Sequence, residues 1–103
     1  MDKIAALAEI LKNDPRNAFA RYGLAMEHAA LGQFDAACGE FGTLLLHHPD
    51  YTAGYFMSAQ TMLKAGRSDD AVARLKQGIA CAQRVGDTHA EGEMQTLLDE
   101  VVP

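Results

Sequence analysis

The chain has 103 residues, 49% of them apolar and 22% charged, and without an apolar run of membrane-spanning length it is expected to form one domain with a modest core, outside any membrane. All nine Lys and Arg residues precede Gly86, where nine acids balance them, so the net charge of −5 comes from Asp87, Glu91, Glu93, Asp99 and Glu100. No basic stripe exists, which argues against a nucleic-acid partner.

In chain order, nearly everything reads as helix. Asp2 caps a first helix that runs to about Asn13, with Ile4, Leu7, Ile10 and Leu11 on one face. Asn13-Asp14-Pro15 ends it, because proline disfavours helical geometry in the residue before it. Asn17 caps a second helix to about Leu31, with Tyr22, Leu24, Ala25 and His28 inward, and Gly32 supplies the left-handed stop. Asp35 opens a third, which buries Ala37, Cys38, Phe41, Leu44 and Leu45 and closes at His48-Pro49-Asp50. A fourth runs from about Tyr51 to Ala65 and ends at Gly66. The fifth spans Ser68 to about Val85 and is longer, since Gln83 stands where the spacing would put a proline. Gly86-Asp87 starts a sixth, with Ala90, Met94, Leu97, Leu98 and Val101 as its apolar stripe.

A spacing of 34 residues relates these segments: Pro15 and Pro49, Ala25 and Ala59, Gly32 and Gly66, Asp35 and Asp69, Ala37 and Ala71. Ile4, Cys38 and Val72 recur three times, as do Leu7, Phe41 and Leu75, and Leu11, Leu45 and Ile79. Small residues stay small, apolar ones apolar and turn residues in turns, which marks a stacked repeat. These residues resemble the tetratricopeptide repeat, a helix–turn–helix unit. The resemblance implies an all-α fold of about six helices, antiparallel pairs stacked as a short right-handed superhelix. Residues 1–15 then form a half repeat, 18–51 and 52–85 two full repeats, and 86–103 a C-terminal capping helix, in one domain.

The match departs from the family pattern at three places. Arg21 replaces the usual aromatic that Tyr55 supplies in the second copy, Ser58 stands where an apolar residue is usual, and Gly78 replaces a small helix former. The last is expected to cost about 1 kcal/mol relative to alanine.

Members of this family bind extended peptides or helices along the first helix of each pair. By position, that surface is Phe19, Tyr22, Met26 and Ala30 in the first copy and Phe56, Gln60, Leu63 and Lys64 in the second. It is rich in Phe, Tyr and Met, a composition suited to contact with a partner. The competing expectation is that the terminal helix folds back over it and that Tyr22 or Phe56 is core. One branch of the family grips chaperone carboxylates with a cationic clamp, and the corresponding Phe19, Gly23, Met26 and Met57 hold no charge to do so. The expected function is therefore a non-catalytic protein–protein interaction module. The alternative is self-association as a homodimer through the uncovered first helix.

No catalytic constellation stands out. Ser58 and Ser68 lie in no nucleophile motif, the glycines form no phosphate loop, and no cofactor is implied. His47 and His48 point to different sides of one helix, His28 aligns with Met62, and no third ligand converges for a metal. Cys38 aligns with Ile4 and Val72 and is expected to be buried, with Cys81 less constrained. Both read as reduced thiols of a cytoplasmic protein, and the opening residues lack a signal-peptide pattern.

Overall fold

The computed structural model describes residues 2–103, so Met1, where the expected half repeat begins, lies outside the described residues. Six helices follow one another: α1 (Lys3–Asn13), α2 (Ala18–Ala30), α3 (Phe34–His47), α4 (Thr52–Lys64), α5 (Ser68–Val85) and α6 (Thr88–Val101). No strand occurs among the described residues. The boundaries have local causes. Asp2, Asn17 and Asp87 accept backbone hydrogen bonds from Ile4, Ala20 and Ala90 at 2.9, 2.9 and 3.0 Å, filling donors that a helix start leaves free. Gly32, Gly66 and Gly86 sit at φ 74°, 77° and 76°, where a side chain would be strained. α3 opens at Phe34, one residue before the expected Asp35, which lies in its first turn, where its charge suits the helix dipole.

Connections of two to four residues fold each helix back on its predecessor. Burial then proceeds along the stack. Leu11, Ala20 and Leu24 join α1 to α2. Ala25, Ala37, Phe41 and Leu44 join α2 to α3. Leu45, Tyr55, Ala59, Leu75, Cys81 and Met94 are among the residues that join α3 to α6. Each layer touches only its neighbours, giving a slab of 42 × 29 × 18 Å. The recurring alanines have a packing reason: Ala25, Ala37, Ala59 and Ala71 are all fully buried where two helices approach closely.

Two departures from the family pattern change meaning in three dimensions. Arg21 does the work of the missing aromatic. Its Nη2 donates to the Pro15 carbonyl at 2.9 Å, as the Tyr55 hydroxyl donates to the Pro49 carbonyl at 2.7 Å. Arg21 also pairs with Glu40 of α3 at 2.9 Å, largely shielded from solvent. Gly78 is not a weak helix residue left uncompensated. A Cβ there would lie 2.6 Å from Tyr55 Cβ and would overlap the Met94 sulfur, so its absence lets α4 and α6 close onto α5. Ser58 is the real defect: it is fully buried and its Oγ has no hydrogen-bond partner.

α6 starts after Asp87 and packs Ala90, Met94, Leu97 and Leu98 of the expected apolar stripe against the core, but it does not follow the competing expectation of folding back. It opens at Thr88, 36 residues after α4 opens at Thr52, against the 34 that separate α2 at Ala18 from α4. It packs along α5 and touches α4 at an edge, the relation α4 has to α3 and α2. Instead of folding over the row formed by α2 and α4, it lengthens that row.

Candidate functional site

Backbones of α2 and α4, and of α4 and α6, come within 8 Å (Cα–Cα), whereas those of α1, α3 and α5 do not approach one another so closely. The even-numbered helices therefore form the inside of the curve. Two troughs run between them. One, of ≈ 170 Å³, lies between α2 and α4 and is walled by Met26, Ala29, Ala30, Met57 and Lys64. The other, of ≈ 640 Å³, lies between α4 and α6, with Phe56 and Leu97 as its apolar residues and Glu93, Thr96 and Glu100 along one wall. Gln60 belongs to both. A narrower slot of ≈ 200 Å³ opens from the second at the start of α4 and α6, between Ala53, Phe56 and Ala90.

The residues named from sequence divide into three groups. Met26, Ala30, Phe56, Gln60 and Lys64 line the troughs. Tyr22 and Leu63 line neither. Tyr22 meets Phe41 edge-on at 6.2 Å between ring centroids and lies tilted against Tyr51 at 5.3 Å, holding α2, α3 and the α4 entry together. Burial, reinforced by Tyr51, pushes its phenol above the ordinary value. Leu63 is half-buried against the α3–α6 core. Phe19 stands on the first turn of α2, 78% exposed and outside both troughs.

The α6 wall escapes sequence reading, because the 36-residue step puts Gly92 and Thr96 where a strict 34-residue spacing would put Ala90 and Met94. The extra two residues at the long α5 were the available signal. Met57, named above only as a position without charge, also lines the trough between α2 and α4.

Chemically, these troughs offer contact and hydrogen bonding. Among the described residues no group of three His, Cys, Asp or Glu side chains is arranged to hold a metal. His28 Nδ1 instead hydrogen-bonds Gln33 at 2.7 Å, and His48 Nε2 the Arg16 carbonyl at 2.7 Å. The cysteines exchange the expected roles: Cys81 is fully buried and Cys38 half-buried. Its alignment with Ile4 and Val72 misplaces Cys38 only in degree, since those two residues are half-buried as well. Burial pushes both thiols up, for Cys38 against the opposing pull of Arg67. No described helix is long and apolar enough to cross a membrane.

No family model matches the chain. A tetratricopeptide repeat-containing protein of Pseudomonas aeruginosa is 30% identical over 95 residues, 92% of this chain and 90% of that protein. The solution structure of a tetratricopeptide repeat domain protein from Salinibacter ruber is 30% identical, with a TM-score of 0.80 over 86% of this chain and 90% of that one. The TPR2B domain of yeast Sti1, solved in complex with pHsp70, superposes with a TM-score of 0.87 over 95% of this chain and 78% of that one. At 18% identity it shares the fold. Aligned along nearly its whole length with such relatives, and with its small residues buried at the repeat spacing, the chain belongs to the tetratricopeptide repeat family.

Proposed function

We propose that this protein is a non-catalytic interaction module whose α2–α4–α6 face receives a peptide or helix of a protein partner. One observation carries the reading: the inside of the curve keeps Met26, Ala30, Met57, Phe56 and Leu97 along two troughs while the helices behind them are firmly packed. A rigid apolar wall loses little freedom on binding, which favours docking of a flexible segment. The yeast Sti1 domain of similar fold is a precedent for a bound partner, but not for the same partner. Lys64 is the single Lys or Arg among the trough-lining residues and borders the α2–α4 trough, whereas the α6 wall of the other trough carries Glu93 and Glu100.

Self-association through α1 has less support. Ile4, Leu7 and Leu11 turn towards α2, and Ile10, 42% exposed, is the one large apolar residue that α1 presents to solvent. Such a surface is too small for a stable homodimer.

The test uses Ala30→Arg and Gly92→Phe, each of which fills a trough without removing a core side chain, with Leu46→Ser on the outer face as control. A protein that copurifies with the wild-type chain is identified and its affinity measured by calorimetry. We expect at least one trough variant to lose binding while the control keeps it. Undiminished affinity in both trough variants refutes the assignment. Tyr22→Ala with Phe56→Ala is a poorer probe, because Tyr22 supports the α2–α3 packing.

A further inference from the structure

We infer that the segment received between α4 and α6 is basic and amphipathic: an apolar residue seats in the slot between Ala53, Phe56 and Ala90, and Lys or Arg side chains meet Glu93 and Glu100. This inference rests on the docking face proposed above and adds the chemistry of its occupant. The slot at the start of the two helices is also lined by Thr52, Asp87, His89 and Glu93, but the surface it exposes is mostly carbon, so it suits an apolar anchor next to a cation. Further along, His89, Glu93, Thr96 and Glu100 form one stripe of α6 at helical spacing, and all four line the wider trough. Glu93 and Glu100 are seven residues apart in one helix, hence about 10 Å along its axis. Cations two turns apart on a docked helix match that separation. Glu100 also sits in the last turn of α6, where the helix dipole itself attracts positive charge.

Charge placement supports a partner of this sign over other occupants. α6 carries no Lys or Arg, and Glu100 enters no ion pair among the described residues. Glu93 is approached by His89 at 2.7 Å, an exposed contact on the same helix that a partner cation can displace. The other two acids of α6, half-buried Glu91 and exposed Asp99, are differently engaged: Glu91 accepts from Gln83 of α5 at 2.8 Å and Asp99 from Gln95 at 2.9 Å, and neither lines the trough. A second copy of the chain does not offer the required segment, because its own Leu-rich faces are buried in the stack.

The experiment compares two synthetic amphipathic peptides, one of Leu and Lys and its Leu and Glu counterpart, by fluorescence anisotropy and by amide shifts in nuclear magnetic resonance. The Lys peptide is expected to bind, with shifts on α4 and α6. Glu93→Gln with Glu100→Gln should weaken it about three- to thirtyfold, the effect of two partly exposed pairs. Glu91→Gln with Asp99→Asn removes the same net charge outside the trough and should change affinity less than about twofold. Equal losses in the two double variants would mean general attraction to an acidic chain and would overturn the inference. So would binding of neither peptide. If the Glu peptide binds the same face as tightly, the charge assignment fails and the docking face stands. If the Lys peptide shifts α1, α3 and α5 instead, both fail.

Discussion

Two glycines in neighbouring helices should respond to the same substitution with opposite sign. Gly78 of α5 and Gly92 of α6 both occupy helix interiors, where replacing glycine by alanine favours the helix by about 1 kcal/mol. At Gly92 a Cβ meets no atom within 4 Å, so that gain is realised in full. At Gly78 the same carbon lies 2.6 Å from Tyr55 Cβ and overlaps the Met94 side chain. Met94 can swing its thioether aside, but Tyr55 Cβ is fixed to the α4 backbone, so α4 itself must retreat. Overpacking of this kind costs roughly 1–3 kcal/mol. Taking the upper part of that range and subtracting the helix gain leaves Gly78→Ala less stable by about 1–2 kcal/mol. For a domain of this size that is a fall in Tm of about 5–15 °C, against a rise of about 4–8 °C for Gly92→Ala. Thermal melts followed by circular dichroism decide the matter, since helix propensity cancels between the two variants. If Gly78→Ala melts as high as Gly92→Ala, the α4–α5–α6 contact is looser than described and the packing argument is wrong.

Other changes test other layers. Ser58→Ala removes a buried hydroxyl with no partner and should raise stability by about 1–2 kcal/mol in urea denaturation; a loss would mean that the hydroxyl is bonded. Ala37→Leu and Ala71→Leu insert bulk where two helices meet and should each cost about 1–3 kcal/mol in the same assay, with unchanged midpoints counting against the close contact. Tyr22, Tyr55, Cys38 and Cys81 are all held above their ordinary values by burial, so the folded state prefers them neutral. Their contribution is complete below the unfolded-state values and is lost as pH rises through the folded ones. Tm should therefore stay level near neutrality and fall above about pH 9, and a Tm that holds to pH 11 would contradict this. In the native state a thiol reagent should label Cys38 well before Cys81, whereas equal rates would place Cys81 nearer the surface.

Much of this fold was legible because repetition tests itself. Ala25 with Ala59 and Ala37 with Ala71 name the same contact twice, and all four are buried. The glycines that follow α2 and α4 are likewise readable, since their conformation is local. What escaped reading depends on distant partners. Arg21 looked like a lost aromatic because sequence shows the residue type, while the hydrogen bond to the Pro15 carbonyl can be made by either side chain. Gly78 looked like a weakness because propensity is local, whereas its reason is the close approach of Tyr55 in α4, with Met94 of α6 beside it. Of the eight residues named by position, Met26, Ala30, Phe56, Gln60 and Lys64 border the troughs; Tyr22 and Leu63 were drawn into the core by the ring stack and by α6, neither of which the spacing encodes.

α6 carries one apolar face and two polar ones, each with its own physical consequence. Against α5 and α4 it places Met94, Leu97 and Leu98, which anchor it. The positions that in α2 and α4 are held by the buried Ala25 and Ala59 correspond in α6, by the 36-residue step, to the exposed Gln95. A following helix would have to bury that amide, together with Asp99 one turn on, at the contact where the earlier pairs place small apolar residues. Burying polar groups is unfavourable by several kcal/mol unless their hydrogen bonds are kept, so a helix packed there would have to satisfy Gln95 and Asp99, which now bond each other. The inner stripe of the same helix is polar for a different reason. His89, Glu93, Thr96 and Glu100 border a space that already has apolar residues in Phe56 and Leu97, so charge at its edge does not forbid contact but selects the sign of what makes it. The proposed docking role therefore rests on the sign of the charge along this inner stripe, through side chains three and four residues apart.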